Sequence, residues 1–224
     1  MGKDRGNLIS ESQLRFFGKI TASVSHEINN VFSVINENSG LLSDWVMRGS
    51  RGKPLDPEKL RRVSETIQKS IGRGQKIIKR LNHFSHSVDQ PRKEFDVGEV
   101  LENIIALSRR LAYQKRVDLV VKLPDNPVTI ESNPFALQQA VFNCIAWFLQ
   151  ESQTEDRISI ELEKDGSGGV IIITGPRAVE MEPADDEFLF LSLLMEEVKG
   201  KINFSSANGT IKLAYPRSAS EEQH

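Results

Sequence analysis

Phe16-Phe17-Gly18-Lys19-Ile20-Thr21-Ala22-Ser23-Val24-Ser25-His26-Glu27-Ile28-Asn29-Asn30 is the stretch whose reading decides the fold. Apolar residues recur near Phe17, Val24, Ile28, Val31, Ile35, Leu42 and Trp45. Steps of three, four or seven mark one stripe of a long amphipathic helix. Written as heptads, Val24, Val31 and Trp45 are d positions, and Ile28, Ile35 and Leu42 are a positions. His26 is then an f position, the outermost, with Asn30 one turn on along the same face and Glu27 at the adjacent g position. The helix buries one side and presents His-Glu-x-x-Asn on the other. A neutral imidazole is nucleophilic near pH 7, and an adjacent carboxylate can accept its proton or fix its tautomer.

Outward from that stretch, helix one is expected from about Ser10, an N-cap with Gln13 three residues on, to about Arg48. Gly49-Ser50-Arg51-Gly52-Lys53-Pro54 reads as a turn. Asp56 caps a second helix with Pro57 at its first position. Its stripe is Leu60, Val63, Ile67, Ile77, Leu81, Phe84 and Val88, interrupted at Ser70 and Gly74. Gly72 and Gly74 weaken this helix by about 1 kcal/mol each relative to alanine, and mark either close packing or a bend. Two helices with one apolar stripe each are too little for a core, so two hairpins are expected to pair as a homodimeric four-helix bundle. The competing arrangement covers the hairpin with the chain's own second domain. A turn near residue 52 or 53 sets His26 opposite residues near 79, where Lys76, Lys79 and Arg80 form a basic flank.

Gln90-Pro91-Arg92-Lys93-Glu94 is a polar linker to a second domain over 95–217, followed by a polar tail, 218–224. Glu99 to Tyr113 reads as a helix, and Val117 to Leu123 and Val128 to Ile130 as strands. Asn133, followed by Pro134, starts a helix to about Gln150. Arg157 to Glu163 alternates, Asp165 to Gly169 turns, and Val170 to Ile173 is a buried strand. Phe188 to Val198 is helical, and Lys201–Ser205 and Thr210–Tyr215 form a hairpin around Asn208-Gly209. The class is α+β: a helical hairpin, 1–90, then helices on a mixed sheet.

The 224 residues carry a net charge of −2, which gives no reason to expect a nucleic-acid or membrane partner. A single cysteine, Cys144, excludes an internal disulfide and fits a reducing, cytoplasmic setting. Its apolar helix makes it a packed thiol. No apolar run approaches the roughly 18 residues of a membrane span. Met1-Gly2 opens like a myristoylation site, but Gly6 stands where Ser or Thr is wanted.

The string Ser25-His26-Glu27-Ile28-Asn29-Asn30 resembles the H-box of sensor histidine kinases. The resemblance implies that His26 takes a phosphoryl group on a ring nitrogen, that Glu27 acts as general base or orienter, and that Asn30 helps position water for dephosphorylation. His83 and His86 lie off the stripe with no acid following either, and His224 ends the tail. The second domain resembles, in order of elements, the ATP-binding domain that follows the H-box, a fold shared with gyrase and the Hsp90 chaperones. Its nucleotide motifs depart from the family. In Asn143-Cys144-Ile145-Ala146-Trp147-Phe148 the first Asn survives, but an indole replaces the Asn that holds magnesium. In Ile173-Thr174-Gly175-Pro176-Arg177 the adenine-reading Asp is Ile173 and the last Gly is Arg177. The glycine-rich lid is missing: about a dozen residues, with Met181 to Asp186 in the middle, lead to Phe188-Leu189-Phe190-Leu191 where a Gly-x-Gly helix start belongs. Without the carboxylate, the oxygen ligand and the glycines, adenine discrimination, a magnesium site and close approach to phosphates are all lost.

A kinase-like bundle attached to a kinase-like domain that cannot hold ATP resembles the histidine phosphotransferases of phosphorelays. That resemblance implies transfer between receiver aspartates through His26, with no cofactor or metal on this chain and Mg²⁺ on the partner receiver. The partners it implies are a second copy of the chain, response-regulator receivers and a hybrid histidine kinase. Phe32 and Val34, just past His26, are candidates for receiver docking, with bundle packing as the competing role. With about a dozen residues before the H-box, no sensing domain is expected. The alternatives are an autokinase with an unusual pocket, a receiver phosphatase and a non-catalytic adaptor.

Overall fold

The computed structural model describes residues 2–52, 54–166, 168–177, 186–205 and 209–216. The chain divides into two compact units, one of residues 21–82 and one of residues 1–20 with 83–224. Residues 1–20 and 83–90, placed with the hairpin on sequence grounds, thus group with the second domain. The polar tail, 218–224, lies outside the described residues.

The unit of residues 21–82 is made of two helices. Helix α1 spans Gly2–Ser50 and α2 spans Pro57–Ser85. The expected start at Ser10 is corrected: neither proline nor a competing cap interrupts the run from Gly2, so Ser10 and Gln13 lie inside the helix. The turn forms where expected, with Gly52 at φ +80°, a conformation that glycine adopts freely. Asp56 caps α2, its carboxylate accepting the Glu58 and Lys59 N–H groups at 3.0 and 3.4 Å. Arg61 bridges Glu58 and Glu65 along the first turns, and with Arg62 holds the Glu58 carboxyl below its ordinary range. A Cβ on Gly74 would stand 3.3 Å from Val31 Cγ1, so this glycine marks close helix packing, whereas Gly72 faces open space.

Burial along the stripes is graded. Val24, Val31, Val63 and Ile77 are buried, while Ile28, Ile35, Leu42, Trp45, Leu60, Ile67 and Leu81 are half-buried. Ile71 and Ile78, one heptad apart, are exposed.

The other unit holds most of the core. Here Phe16 and Ile20 are buried on α1, whereas Phe17, expected on the stripe, is 42% exposed. The Phe16 ring meets Phe84, Phe135 and Phe142 at centroid distances of 5.3, 5.6 and 4.9 Å. Val88, expected on the second stripe, is exposed because α2 gives way at Ser85 to a 3-10 turn over His86–Val88. The linker is also corrected in part: Lys93–Asp96 is strand β1, paired antiparallel with β3, Thr129–Ser132.

Helix α3, Val97–Lys115, is capped by Asp96, and α4, Pro134–Glu151, by Asn133, whose side chain accepts from the Phe135 and Ala136 N–H groups. The main sheet contains β2, Asp118–Lys122, β4, Arg157–Asp165, β5, Gly168–Thr174, β6, Lys201–Ser205, and β7, Thr210–Pro216. Its order is β2-β4-β5-β7-β6, with β2 and β4 parallel and the other pairs antiparallel. Helix α5, Asp186–Glu197, packs on α4, which packs on α3. Period-two burial sends Ile160, Leu162, Ile171, Ile173, Ile211 and Leu213 into the core. In register, Ile160, Ile173 and Ile211 form one buried row across three strands.

Candidate functional site

Helix periodicity places His26 and Asn30 together on the solvent side of α1, and both side chains are exposed. Glu27 is half-buried beside them. The burial of Val24 and Val31 turns this stretch of helix, so the imidazole stands on the opposite face by geometry rather than by any bond to it. The Glu27 carboxylate sits 3.7 Å from the Arg73 guanidinium of α2. Arg73 was not among the basic residues expected near His26. The hairpin register is set by the contact of Gly74 with Val31, and that brings Arg73 to Glu27. Lys76, Lys79 and Arg80 are exposed on α2. Phe32 is 56% exposed, and Val34 is half-buried, its carbonyl accepting from the Asn38 side chain.

His83, on α2, and His86, in the 3-10 turn that follows it, are exposed too. His86 is not without an acid: its Nδ1 lies 2.7 Å from Asp89 Oδ2, a partner three residues on.

The motif positions of the second domain are filled with rings. Trp147, on α4, packs its indole against Phe148 and Phe204, with centroids 4.8 and 5.7 Å away. Ile173 is fully buried between Ile160 and Ile211. An ionised carboxylate there would lack any partner in an apolar row. A Cβ on Gly175 would stand 2.2 Å from the Phe148 ring, so the surviving glycine is required by that ring. Asn143 donates to the Gln139 carbonyl at 2.9 Å. A cavity of about 290 Å³ remains beside Asn143, Ala146, Trp147 and Gln150, closed on other sides by Leu189 and Leu191 of α5 and by Arg15 and Lys19 of α1. Cys144 is buried within α4, and burial pushes its thiol well above the ordinary range. The segment that stands where the family has its lid, 178–185, lies outside the described residues. Among the described residues no cluster of three His, Cys, Asp or Glu side chains could hold a metal ion.

Residues 18–89 match the His Kinase A (phospho-acceptor) domain. The chain is similar in structure to the Acinetobacter baumannii histidine kinase AdeS, with 13% identity and a TM-score of 0.50 over 86% of this chain and 98% of that one. Residues 18–89 are thus like the phospho-acceptor domain of histidine kinases. The second domain has the fold of a histidine kinase catalytic domain, as seen also in a histidine kinase from Burkholderia phymatum STM815. There the identity is 11% and the TM-score 0.51, over 91% of this chain and 98% of that chain. At such identities the likeness establishes fold, and the kinase-like architecture by itself serves autophosphorylation or transfer equally well. No helix among the described residues is long and apolar enough to cross a membrane.

Proposed function

We propose that this chain is a histidine phosphotransfer protein of a two-component phosphorelay, acting through His26 without binding ATP. The observation that carries the reading is the packing of Phe148 over Gly175, with Trp147 and Ile173 filling the neighbouring motif positions. A kinase domain needs those positions open for adenine, magnesium and phosphates. The chemistry on the bundle needs none of them. An imidazole nitrogen of His26 attacks the phosphorus of a receiver's aspartyl phosphate. The new N–P bond forms as the acyl O–P bond breaks, and the aspartate leaves as a carboxylate. The reverse step on a second receiver completes the relay. Such transfer depends on in-line placement and charge neutralisation more than on covalent help from the protein.

Glu27 orients the ring or takes its proton, and Arg73 steadies Glu27. Asn30 supports hydrolysis. Magnesium belongs to the receiver. Phe32, Val34 and the cations Lys76, Lys79 and Arg80 form the receiver-facing surroundings. A homodimer would cover the half-buried a and d residues together with exposed Ile71 and Ile78, which a lone hairpin leaves to water.

The test is phosphoryl transfer from a labelled receiver, and from labelled ATP with Mg²⁺, to the wild type and to His26→Ala. Label passing from receiver to wild type only, with none from ATP, is the expected result. ATP-derived label on His26 would establish an autokinase and overturn the reading.

A further inference from the structure

The C-terminal end of α3 departs from what its position requires. Arg116 caps the helix at φ 55°, in the left-handed region where a helix usually places glycine. The Glu155 N–H donates to the Arg116 carbonyl at 2.8 Å, and Glu155 is itself left-handed at φ 72°, so two residues with side chains are held in that conformation back to back. Such residues persist where the surrounding structure holds them, and they cluster at functional sites, although Lys199 is also left-handed at φ 55°. Tyr113, just before this cap, is 82% exposed, more than any other large apolar or aromatic side chain described.

Helix spacing sets Arg109 and Arg110 one turn before Tyr113, with Arg116 one turn after it, on adjoining positions. None of these three arginines has an ion pair among the described residues. Of the neighbouring acids, Asp118 and Asp156 are engaged by Arg157 and Arg177, at 3.8 and 2.9 Å, and Glu155 is an exposed acid tied to Arg116 through its backbone N–H. The helix dipole accounts for cations in a last turn. It accounts neither for a tyrosine ring standing in water nor for arginine at a glycine-type cap.

We propose that Arg109, Arg110, Tyr113 and Arg116 form a docking surface for an acidic protein face. Resting on the phosphorelay reading, that face belongs to the receiver. Tyrosine and arginine are the side chains that most often carry interface energy, and unpaired guanidinium groups seek carboxylates. A protein partner is favoured over nucleic acid because the chain carries a net charge of −2 and the cations are confined to one helix end.

The test uses the full chain and a receiver chosen because it exchanges label with the wild type. Tyr113→Ala and Arg109→Glu should each weaken receiver binding roughly tenfold or more, with Arg109→Glu also flattening its salt dependence. Arg116→Gly should raise the melting temperature by roughly 2–4 °C, since it relieves the cap, yet weaken receiver binding. Labelling of His26 by phosphoramidate should be unchanged in all three variants, showing an intact acceptor domain. Unaltered receiver affinity in the three variants would overturn the surface while leaving the relay standing. Binding of a 20-base-pair DNA duplex that the same variants abolish would assign the patch to nucleic acid instead. Failure of every receiver to exchange label with the wild type would remove the relay reading, and the surface with it.

Discussion

Helices α1 and α4 each carry the residues of a motif, and they treat them in opposite ways. On α1 the apolar stripe takes one side, and His26 and Asn30 are left on the other with nothing packed over them. On α4 twelve of eighteen residues are buried, and after Asn143 the Phe148 ring lies in the core with the half-buried Trp147 against it. A nucleophile needs exposure to a partner, and a helix gives that for little cost in stability. A nucleotide site needs an open, polar cavity inside a domain, and an open cavity forfeits packing. Rings packed into such positions stabilise the fold instead. The contrast therefore separates a histidine face left exposed from motif positions taken up by packing.

The comparison breaks first at His26. His26→Ala should abolish acceptance of phosphate from a receiver, while urea unfolding shifts by no more than about 0.5 kcal/mol, as for exposed positions generally. Loss of label together with several kcal/mol of stability would show that the ring is structural.

At Phe148 the effects should be reversed. Phe148→Ala removes a fully buried ring and should cost about 3–5 kcal/mol. Gly175→Ala forces a methyl into that ring and should cost about 1–3 kcal/mol. In the double variant the methyl enters the vacated space, so the two losses should be less than additive in equilibrium denaturation. Full additivity would mean that the two residues do not share the space.

Alkaline titration sharpens the same contrast. Burial holds the Cys144 thiol protonated, its pKa raised above the usual 9.0, and the Tyr215 hydroxyl is likewise raised above 10.0. Above pH 9 the unfolded chain releases the thiol proton while the folded chain keeps it. Stability should therefore be complete below pH 9 and fall by about 1.4 kcal/mol per pH unit above it. Cys144→Ala should delay the onset to near pH 10, where Tyr215 begins to contribute. Onset unchanged in that variant would place the sensitive group elsewhere.

Local signals made much of this legible. The caps at Asp56 and Asn133 sit where their side chains and the following prolines require, because a cap is decided within four residues. Strand β4 alternates in sequence as it does in burial, whereas the apolar run Val170–Ile173, read as a buried strand, turns only Ile171 and Ile173 into the core and leaves Val170 and Ile172 half-buried. Strand β1 escaped because Lys93-Glu94-Phe95-Asp96 offers one apolar residue and owes its conformation to a partner, Thr129–Ser132, distant in sequence. Of the site, the exposed histidine face followed from heptad positions alone. Arg73 did not, because hairpin register depends on how closely Gly74 lets Val31 approach. Nor did the pairing of His86 with Asp89, which a turn after α2 creates. That Ile173 could not have been a carboxylate became visible only with Ile160 and Ile211 on either side of it.

The smallest effect tests the finest part of the contrast, whether Glu27 is held for chemistry or merely solvated. The Arg73–Glu27 pair spans 3.7 Å, with the arginine side chain 63% exposed. Such a pair contributes less than about 1 kcal/mol to stability and is weakened by salt. Arg73→Ala should accordingly leave unfolding almost unchanged. If Arg73 steadies the carboxylate that orients His26, the same substitution should slow transfer from the receiver several-fold at low salt. High salt should slow the wild type towards the variant, and Arg73→Lys should restore part of the rate. A transfer rate indifferent to both the substitution and the salt would leave Glu27 acting alone, and the exposed face of α1 would then owe nothing to its neighbour helix.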